Sequence, residues 1–231
     1  MQKHPVTTSK SFLDRVAQEQ HAEPSSQTLT TQDPLFDSDH QPWLNAGHAG
    51  VDEVGIGPLA GPVVAAAVLL DPNCHIEELS DSKLLSQTKR EALALIICER
   101  AIAWGVGWAS EREVDELNVL RASHVAMQRA VAQLQPVPTM IWVDGNKTPS
   151  FPVPCTAVVQ GDKLIPQISA ASILAKVARD KYMVELDDTC PGYGFAKHKG
   201  YPTKAHLTAL ADLGASAHHR VSFAPVRKAM G

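Results

Sequence analysis

Residues 48–63 read HAGVDEVGIGPLAGPV, a stretch in which an apolar run meets two acids and then a glycine-rich segment. The run around Val51 and Val54 has the character of a buried strand, yet Asp52 and Glu53 interrupt it. A carboxylate beside a low-dielectric core is costly unless a counter-charge lies near it. A second apolar run begins at Val63. The stretch therefore predicts two consecutive strands, with charged groups where the first one ends.

The glycine-rich segment, residues 55–62, differs from the two familiar phosphate-binding loops. It lacks the Lys-Ser/Thr end of a P-loop, and it leads into a strand, whereas the dinucleotide-binding fingerprint opens a helix. Its glycines leave backbone N–H and C=O groups that no side chain covers. We therefore expect the backbone of a ligand to approach this loop closely.

Apolar runs alternate with helical patterns from about residue 47 onward. Strand patterns cover residues 48–54, 63–70, 103–109, 139–143 and 156–159, and helical patterns cover residues 86–102, 166–186, 203–213 and a segment that starts at Asn118. This alternation predicts an α/β domain over residues 47–190, followed by a small helical appendage over residues 191–231. On the Asn118 helix we expect five apolar side chains to be buried: Leu120, Val125, Met127, Val131 and Leu134.

The first 46 residues are rich in Ser, Thr, Gln, Asp, Pro and His, and their few apolar side chains show no sustained period. This composition predicts a flexible N-terminal tail over residues 1–46, with a short helix over residues 11–20. We expect removal of residues 1–44 to leave activity intact.

The 231 residues are 44% hydrophobic and 20% charged, which is ordinary for a soluble globular protein. Glycines and prolines break the longest uncharged apolar stretch, residues 54–70, and the N-terminus lacks the apolar run of a secretory signal, so no membrane segment is expected. The four cysteines form no CxxC pair, which fits neither a zinc site nor a dense disulfide scaffold. We expect a monomer in a reducing cytoplasm.

Charge is unevenly distributed along the chain. Residues 176–231 carry nine Lys and Arg against five Asp and Glu, whereas the preceding part is acidic. An acidic part suits cations and a basic part suits a polyanion such as nucleic acid. A solvated surface is the alternative interpretation of the basic part.

Two further acids follow strand patterns. Asp144 directly follows the apolar run MIWV, and Asp162 follows VVQG. If the sheet brings them close to Asp52 and Glu53, a divalent cation is the natural compensation, because Mg²⁺ prefers oxygen ligands and takes others from water and phosphate. Taken singly, Asp144 and Asp162 also fit turn chemistry, in which an Asp beside a Gly makes local hydrogen bonds. On the residues alone both interpretations stay open.

Seven blocks of sequence, in this order, carry a resemblance to a known family. They are residues 49–55 (AGVDEVG), 57–63 (GPLAGPV), 81–83 (DSK), 143–145 (VDG), 161–162 (GD), 168–180 (ISAASILAKVARD) and 197–203 (KHKGYPT). Over about residues 47–228 the chain is similar to ribonuclease HII. The resemblance implies a ribonuclease H-like fold with a mixed central sheet flanked by helices. It also implies Mg²⁺- or Mn²⁺-dependent cleavage of RNA in RNA–DNA hybrids and at ribonucleotides embedded in duplex DNA.

The resemblance also implies roles for individual acids. The family's catalytic and metal-binding acids fall on Asp52, Glu53, Asp144 and Asp162. They imply hydrolysis with two divalent ions about 3.5–4 Å apart, which leaves 5′-phosphate and 3′-hydroxyl ends. Asp180 lies between two basic residues of a long helical pattern, and we interpret it as structural.

Substrate contacts follow from the same matched positions. The family's tyrosine, which packs against the nucleotide at the RNA–DNA junction, falls on Tyr201, and its loop that senses the ribose 2′-hydroxyl falls on Gly55, Ile56 and Gly57. Further candidates for contacts with phosphate or with the metal-binding acids are Lys83, Asn118 and Lys176. The pair His218-His219 is interpreted as a surface turn rather than a metal or phosphate site.

Ile56 departs from the family, whose loop normally reads Gly-Arg-Gly. The missing guanidinium removes a charge-assisted contact of roughly 1.5–3 kcal/mol. Two other classes of function therefore stay open: a hybrid-binding protein with impaired catalysis, and a metal-dependent phosphatase that acts on small molecules.

Overall fold

A computed structural model of the protein describes residues 28–29, 43, 45–73, 75–77, 79 and 85–231. The predicted helix over residues 11–20, most of the predicted tail and the candidate Lys83 lie outside the described residues.

The described residues form one mixed sheet. Its strands are β1 (Thr28–Leu29), β2 (His48–Val54), β3 (Val63–Leu69), β4 (Ala103–Ala109), β5 (Met140–Asp144) and β6 (Cys155–Val158). They lie in the order β1-β6-β5-β2-β3-β4. Strands β2, β3 and β4 pair antiparallel, whereas β5 runs parallel to both β2 and β6, and β1 runs parallel to β6.

Eight helices accompany the sheet within the described part of the chain. They are α1 (Gln87–Arg100), α2 (Glu111–Leu117), α3 (Val119–Val131), α4 (Gly161–Leu164), α5 (Pro166–Thr189), α6 (Phe195–His198), α7 (Lys204–Leu213) and α8 (Ala224–Ala229). Apolar side chains of α3 pack on one face of the sheet, and those of α1 and α5 pack on the other. The predicted α/β class, a mixed sheet flanked by helices, is confirmed. Of the described helices, none is long and apolar enough to cross a membrane.

Local capping explains where several helices begin. The Ser86 hydroxyl accepts from the Lys89 N–H at the start of α1, as its position before the helical pattern suggests. Helix α2 was not predicted, although Ser110 and Glu113 form a capping box that the sequence displays. Asn118 caps α3, where its Oδ1 accepts from two backbone N–H groups.

One local prediction was wrong. Leu120 was expected to be buried, but 41% of it is exposed, because it lies in the first turn of α3 on the outer side. The residues alone leave the interpretation of Asp162 open between turn chemistry and a metal site, and the structure places it in Gly161–Leu164, which forms one turn of helix.

Helix α5 is held very close to β2 by a glycine. A Cβ at Gly50 would lie 2.2 Å from the backbone of Gln167 and Ile168, so any other residue would push the helix away. This approach brings the middle of α5 over the end of β2, where Asp52 and Glu53 lie.

Parts of the predicted tail belong to the fold. Thr28–Leu29 extends the sheet beside β6. Trp43 is buried against Trp142 with ring centroids 6.5 Å apart, and its carbonyl accepts from Gln167 Nε2 at 2.7 Å. Ordered structure therefore begins before residue 47.

Candidate active site

A cavity of about 340 Å³ opens where β2 and β5 end. These strands are parallel neighbours with Val51 opposite Val143, so the acids that follow, Asp52 and Asp144, meet at one edge of the sheet. The cavity is lined by Asp52, Glu53, Val54, Arg90, Asp144, Ser172, Ile173, Lys176 and Tyr201. Three of the four predicted acids thus border one space, together with Lys176 and Tyr201.

Asp52 and Glu53 both face this cavity although adjacent strand residues normally point to opposite faces. They lie near the end of β2, and Gly55, with φ +99°, turns the chain away directly afterwards. The Asp52 carboxylate accepts from the Glu53 N–H at 2.7 Å, which holds it against its own backbone.

The three carboxyl groups are electrostatically coupled. Burial raises the pKa of Asp52 well above its ordinary value, repulsion from Glu53 and Asp144 adds to the rise, and a hydrogen bond from Ser172 opposes it. Burial and repulsion from Asp144 raise the pKa of Glu53 to about 7. Such a cluster favours either bound protons or a bound cation.

Asp162 reaches the cluster through its backbone. It lies in α4 and is 2% exposed, and its N–H points to Asp144 Oδ1 at 3.4 Å. Asp162 lines a neighbouring cavity of about 270 Å³ and not the cavity that the other three acids border. Within the described residues, no three His, Cys, Asp or Glu side chains converge closely enough to form a ready-made metal centre.

Two basic side chains face the acids. Lys176 Nζ lies 2.8 Å from Asp180 Oδ1, so Asp180 holds a cavity lysine in place. Arg90 also lines the cavity, and its guanidinium donates to the Leu85 carbonyl at 2.9 Å. Asn118 is not among the lining residues of either cavity described above, and its side chain caps α3.

The glycine-rich loop lies against Tyr201. A Cβ at Gly57 would be 3.7 Å from Tyr201 Cε1, which is ordinary contact. The Tyr201 side chain is 38% exposed and Ile56 is 37% exposed, so the surface between them is open. Of the three predicted loop residues, Gly57 is therefore a direct neighbour of the predicted tyrosine.

Two buried arginines, which the sequence reasoning missed, hold this loop. Arg179 donates to the carbonyls of Pro62 at 2.9 Å, Lys199 at 2.9 Å and Ala60 at 3.1 Å. Arg220 donates to Gly61 at 2.7 and 2.9 Å and to Ile56 at 3.2 Å. Both are 0% exposed. Arg179 lies within an apolar helical pattern and a matched sequence block, and Arg220 follows the His218-His219 pair, but neither setting reveals the carbonyls that these arginines bind.

Comparison with known proteins agrees with the geometry. The sequence model of the ribonuclease HII family matches residues 49–226. A ribonuclease HII from Vibrio campbellii (strain ATCC BAA-1116) is 58% identical over 183 residues, which cover 79% of this chain and 86% of that protein. The chain belongs to the ribonuclease HII family.

Solved structures support the same assignment. Ribonuclease H2 from Pyrococcus horikoshii OT3 superimposes with a TM-score of 0.67 at 26% identity, over 79% of this chain and 96% of the other. RNase HII of Archaeoglobus fulgidus, solved in a complex with PCNA, gives 0.62 at 25% identity over 80% and 97%. Bst-RNase HIII in complex with Mn²⁺ shares the fold, with a TM-score of 0.63 at 19% identity over 84% and 74%.

Membership in the ribonuclease HII family establishes the general activity. The chain is a hydrolase with ribonuclease activity on RNA–DNA hybrids, and nucleic acid is its substrate. The ribonuclease H-like fold that the resemblance implied is confirmed.

Proposed function

We propose that this protein, besides cleaving the RNA strand of hybrids, incises 5′ of ribonucleotides embedded in duplex DNA and leaves 5′-phosphate and 3′-hydroxyl ends. The observation that carries the proposal is the cavity in which Asp52, Glu53 and Asp144 meet beside Tyr201. No serine or cysteine nucleophile is required, because the carboxyl groups suit activation of water with bound metal.

The acids fit a divalent cation by their chemistry. Three carboxyl groups repel one another in a buried place, and burial, together with this repulsion, raises the pKa values of Asp52 and Glu53. Oxygen ligands of this kind suit Mg²⁺ and Mn²⁺. We propose that Asp52, Glu53 and Asp144 hold the ions, with Asp162 completing the set from α4. Two bound ions would supply an activated water and stabilise the departing 3′ oxygen.

The remaining lining residues suit the substrate. Lys176 and Arg90 place positive charge in the cavity, where it can meet phosphates next to the scissile bond. Tyr201 offers an aromatic face for a sugar or base. The open backbone around Gly57 allows contact with a ribose 2′-hydroxyl, the group that distinguishes RNA from DNA.

A duplex that contains one ribonucleotide tests the proposal. Incubated with Mn²⁺, the protein should cleave on the 5′ side of the ribonucleotide. We expect Asp144→Asn to lower the rate by about 100-fold or more while the protein stays folded, because a ligand of the ions is lost. The matched control Asp212→Asn, at an exposed acid of α7, should cleave like the unchanged protein.

Each other outcome argues against a part of the proposal. Full activity of Asp144→Asn would show that the acids do not form the site. Retention of the duplex without cleavage would favour the hybrid-binding alternative.

A further inference from the structure

Three buried histidines form a cluster outside the cavity. His206 is 0% exposed, His219 is 2% exposed and His198 is 9% exposed. His198 stacks on His206 with ring centroids 4.4 Å apart, and the Phe195 ring lies against all three imidazoles. The surface turn expected at His218-His219 is therefore wrong for His219, which lies inside the fold.

The hydrogen bonds of the cluster determine where its protons lie. The Ser216 N–H can only donate, and it points to His219 Nδ1 at 3.0 Å, so this nitrogen carries no proton. The Tyr201 carbonyl can only accept, and it lies 2.9 Å from His206 Nδ1, which must therefore carry one. Between the two rings, the Nε2 atoms lie 3.1 Å apart. In neutral rings the proton between them belongs to His219.

The result is a one-way chain of donors that ends on the backbone of Tyr201. Ser216 donates to His219, His219 donates to His206, and His206 donates to the Tyr201 carbonyl. The same carbonyl accepts from the Thr203 N–H at 2.8 Å. Because a carbonyl oxygen has two lone pairs, both are used, and the orientation of the peptide that follows Tyr201 is set.

We propose that His206 and His219 are positioning residues that orient Tyr201 toward the substrate. The inference rests on the proposed function, in which Tyr201 contacts the nucleic acid. Through these two imidazoles, hydrogen bonds link Ser216, in the segment after α7, to the backbone of Tyr201, which lines the cavity.

The surroundings of the pair support neutral rings. Burial lowers the pKa of His206, and burial followed by repulsion from His206 lowers the pKa of His219 to about 4. The titratable groups that face the pair are His198, Tyr193 and His218, and the last of these lies 3.6 Å from Glu111. Protonation of His206 would set two N–H donors against each other across the Nε2 contact, and protonation of His219 would set its Nδ1–H against the Ser216 N–H.

The proposed chain of donors can be tested in the unchanged protein by measuring which ring nitrogen of His206 and of His219 carries the proton. Long-range ¹H–¹⁵N correlation spectra of the full chain at neutral pH should show His206 protonated on Nδ1 and His219 protonated on Nε2. A His206 protonated on Nε2, or a charged ring in either residue, would overturn the proposed chain of donors.

A double-mutant cycle tests the positioning role. Tyr201→Ala should raise KM for a hybrid about tenfold, in line with the loss of one stacking contact. His206→Leu should raise KM about fivefold at nearly unchanged kcat, because one hydrogen bond to the carbonyl is lost. His206→Asn keeps an amide donor near the position of Nδ1 and should show a smaller rise. In the Tyr201→Ala background, His206→Leu and His206→Asn should give equal KM values.

The outcomes of the cycle separate the two proposals. If His206→Leu raises KM equally in both backgrounds, His206 acts independently of Tyr201 and the positioning role is wrong, while the role of Tyr201 stands. If Tyr201→Ala leaves KM unchanged, the proposed substrate contact itself fails. Should His206→Leu not fold, the His206→Asn cycle and the tautomers decide.

Discussion

Ile56 occupies the position at which the family resemblance expects an arginine. Ile56 is 37% exposed, while its carbonyl accepts from Arg220 at 3.2 Å. The backbone of the loop is therefore supported by a residue distant in sequence, and this support does not depend on the side chain at position 56. Recognition through the backbone and recognition through a guanidinium are thus separable at this residue.

Restoring the arginine should strengthen substrate binding. We expect Ile56→Arg to lower KM for a duplex with one ribonucleotide by about tenfold or more, the equivalent of a charge-assisted contact of roughly 1.5–3 kcal/mol. Steady-state kinetics at several salt concentrations measure it. Ile56→Gln, which adds a long polar side chain without charge, is the control, and an equal effect of both substitutions would contradict the role of the charge.

The loop between β2 and β3 contains two glycines, Gly55 and Gly57, that differ in whether the fold requires them. Gly55 has φ +99°, and a Cβ there would lie 2.5 Å from Arg179 Nε and 2.8 Å from the Pro62 carbonyl, so the fold itself requires a glycine. Gly57 is outside the left-handed region, and a Cβ there would meet only Tyr201. The packing of the fold therefore does not require a glycine at position 57, and the open space there is available to a ligand.

Alanine at each of the two positions should distinguish an effect on stability from an effect on substrate binding. Gly55→Ala should lower the free energy of unfolding by about 1–3 kcal/mol, because of its backbone conformation and the close contact with Arg179. Gly57→Ala should change that free energy by less than about 1 kcal/mol and yet raise KM for a hybrid about tenfold, since a methyl group would obstruct the substrate. Urea unfolding and kinetics measure both effects. Unchanged KM in Gly57→Ala would exclude close approach of the substrate at this position.

The folded domain extends beyond the boundary that composition suggested. Trp43 packs on Trp142 beside Ile165 and Ile168, although it lies in a polar stretch without apolar period. A single large apolar residue gives no periodic signal, so only its partners reveal that it is buried. Removal of residues 1–44 would delete this contact, and the expected activity of the truncated chain stays a prediction that a cleavage assay tests.

A substitution measures the contribution of this contact to stability. We expect Trp43→Ala to lower the free energy of unfolding by about 3–5 kcal/mol, because it opens a cavity against Trp142. Trp104→Ala is the matched control, since Trp104 is 43% exposed on β4 and should cost only about 1 kcal/mol. Urea denaturation gives both values. Equal losses would show that Trp43 contributes no more than a surface tryptophan.

Local patterns of apolar residues in the sequence predict much of the architecture. Alternating apolar runs and helical spacing predicted five of the six described strands and the long helix that starts at Pro166, because burial on a strand or helix repeats with the period of that element. The acids and glycines at the end of β2 stood out for the same reason, since they break such a pattern. The family resemblance then supplied the roles that periodicity alone does not contain.

Tertiary structure decided which of these groups meet. The meeting of Asp52, Glu53 and Asp144 in one cavity depends on the parallel pairing of β2 with β5, and the turn of α4 places Asp162 in the neighbouring cavity. The buried arginines and the histidine chain also became visible only in three dimensions. Their partners are backbone carbonyls and rings from distant parts of the chain, and a carbonyl is present at every residue, so no sequence pattern distinguishes the ones that are bound.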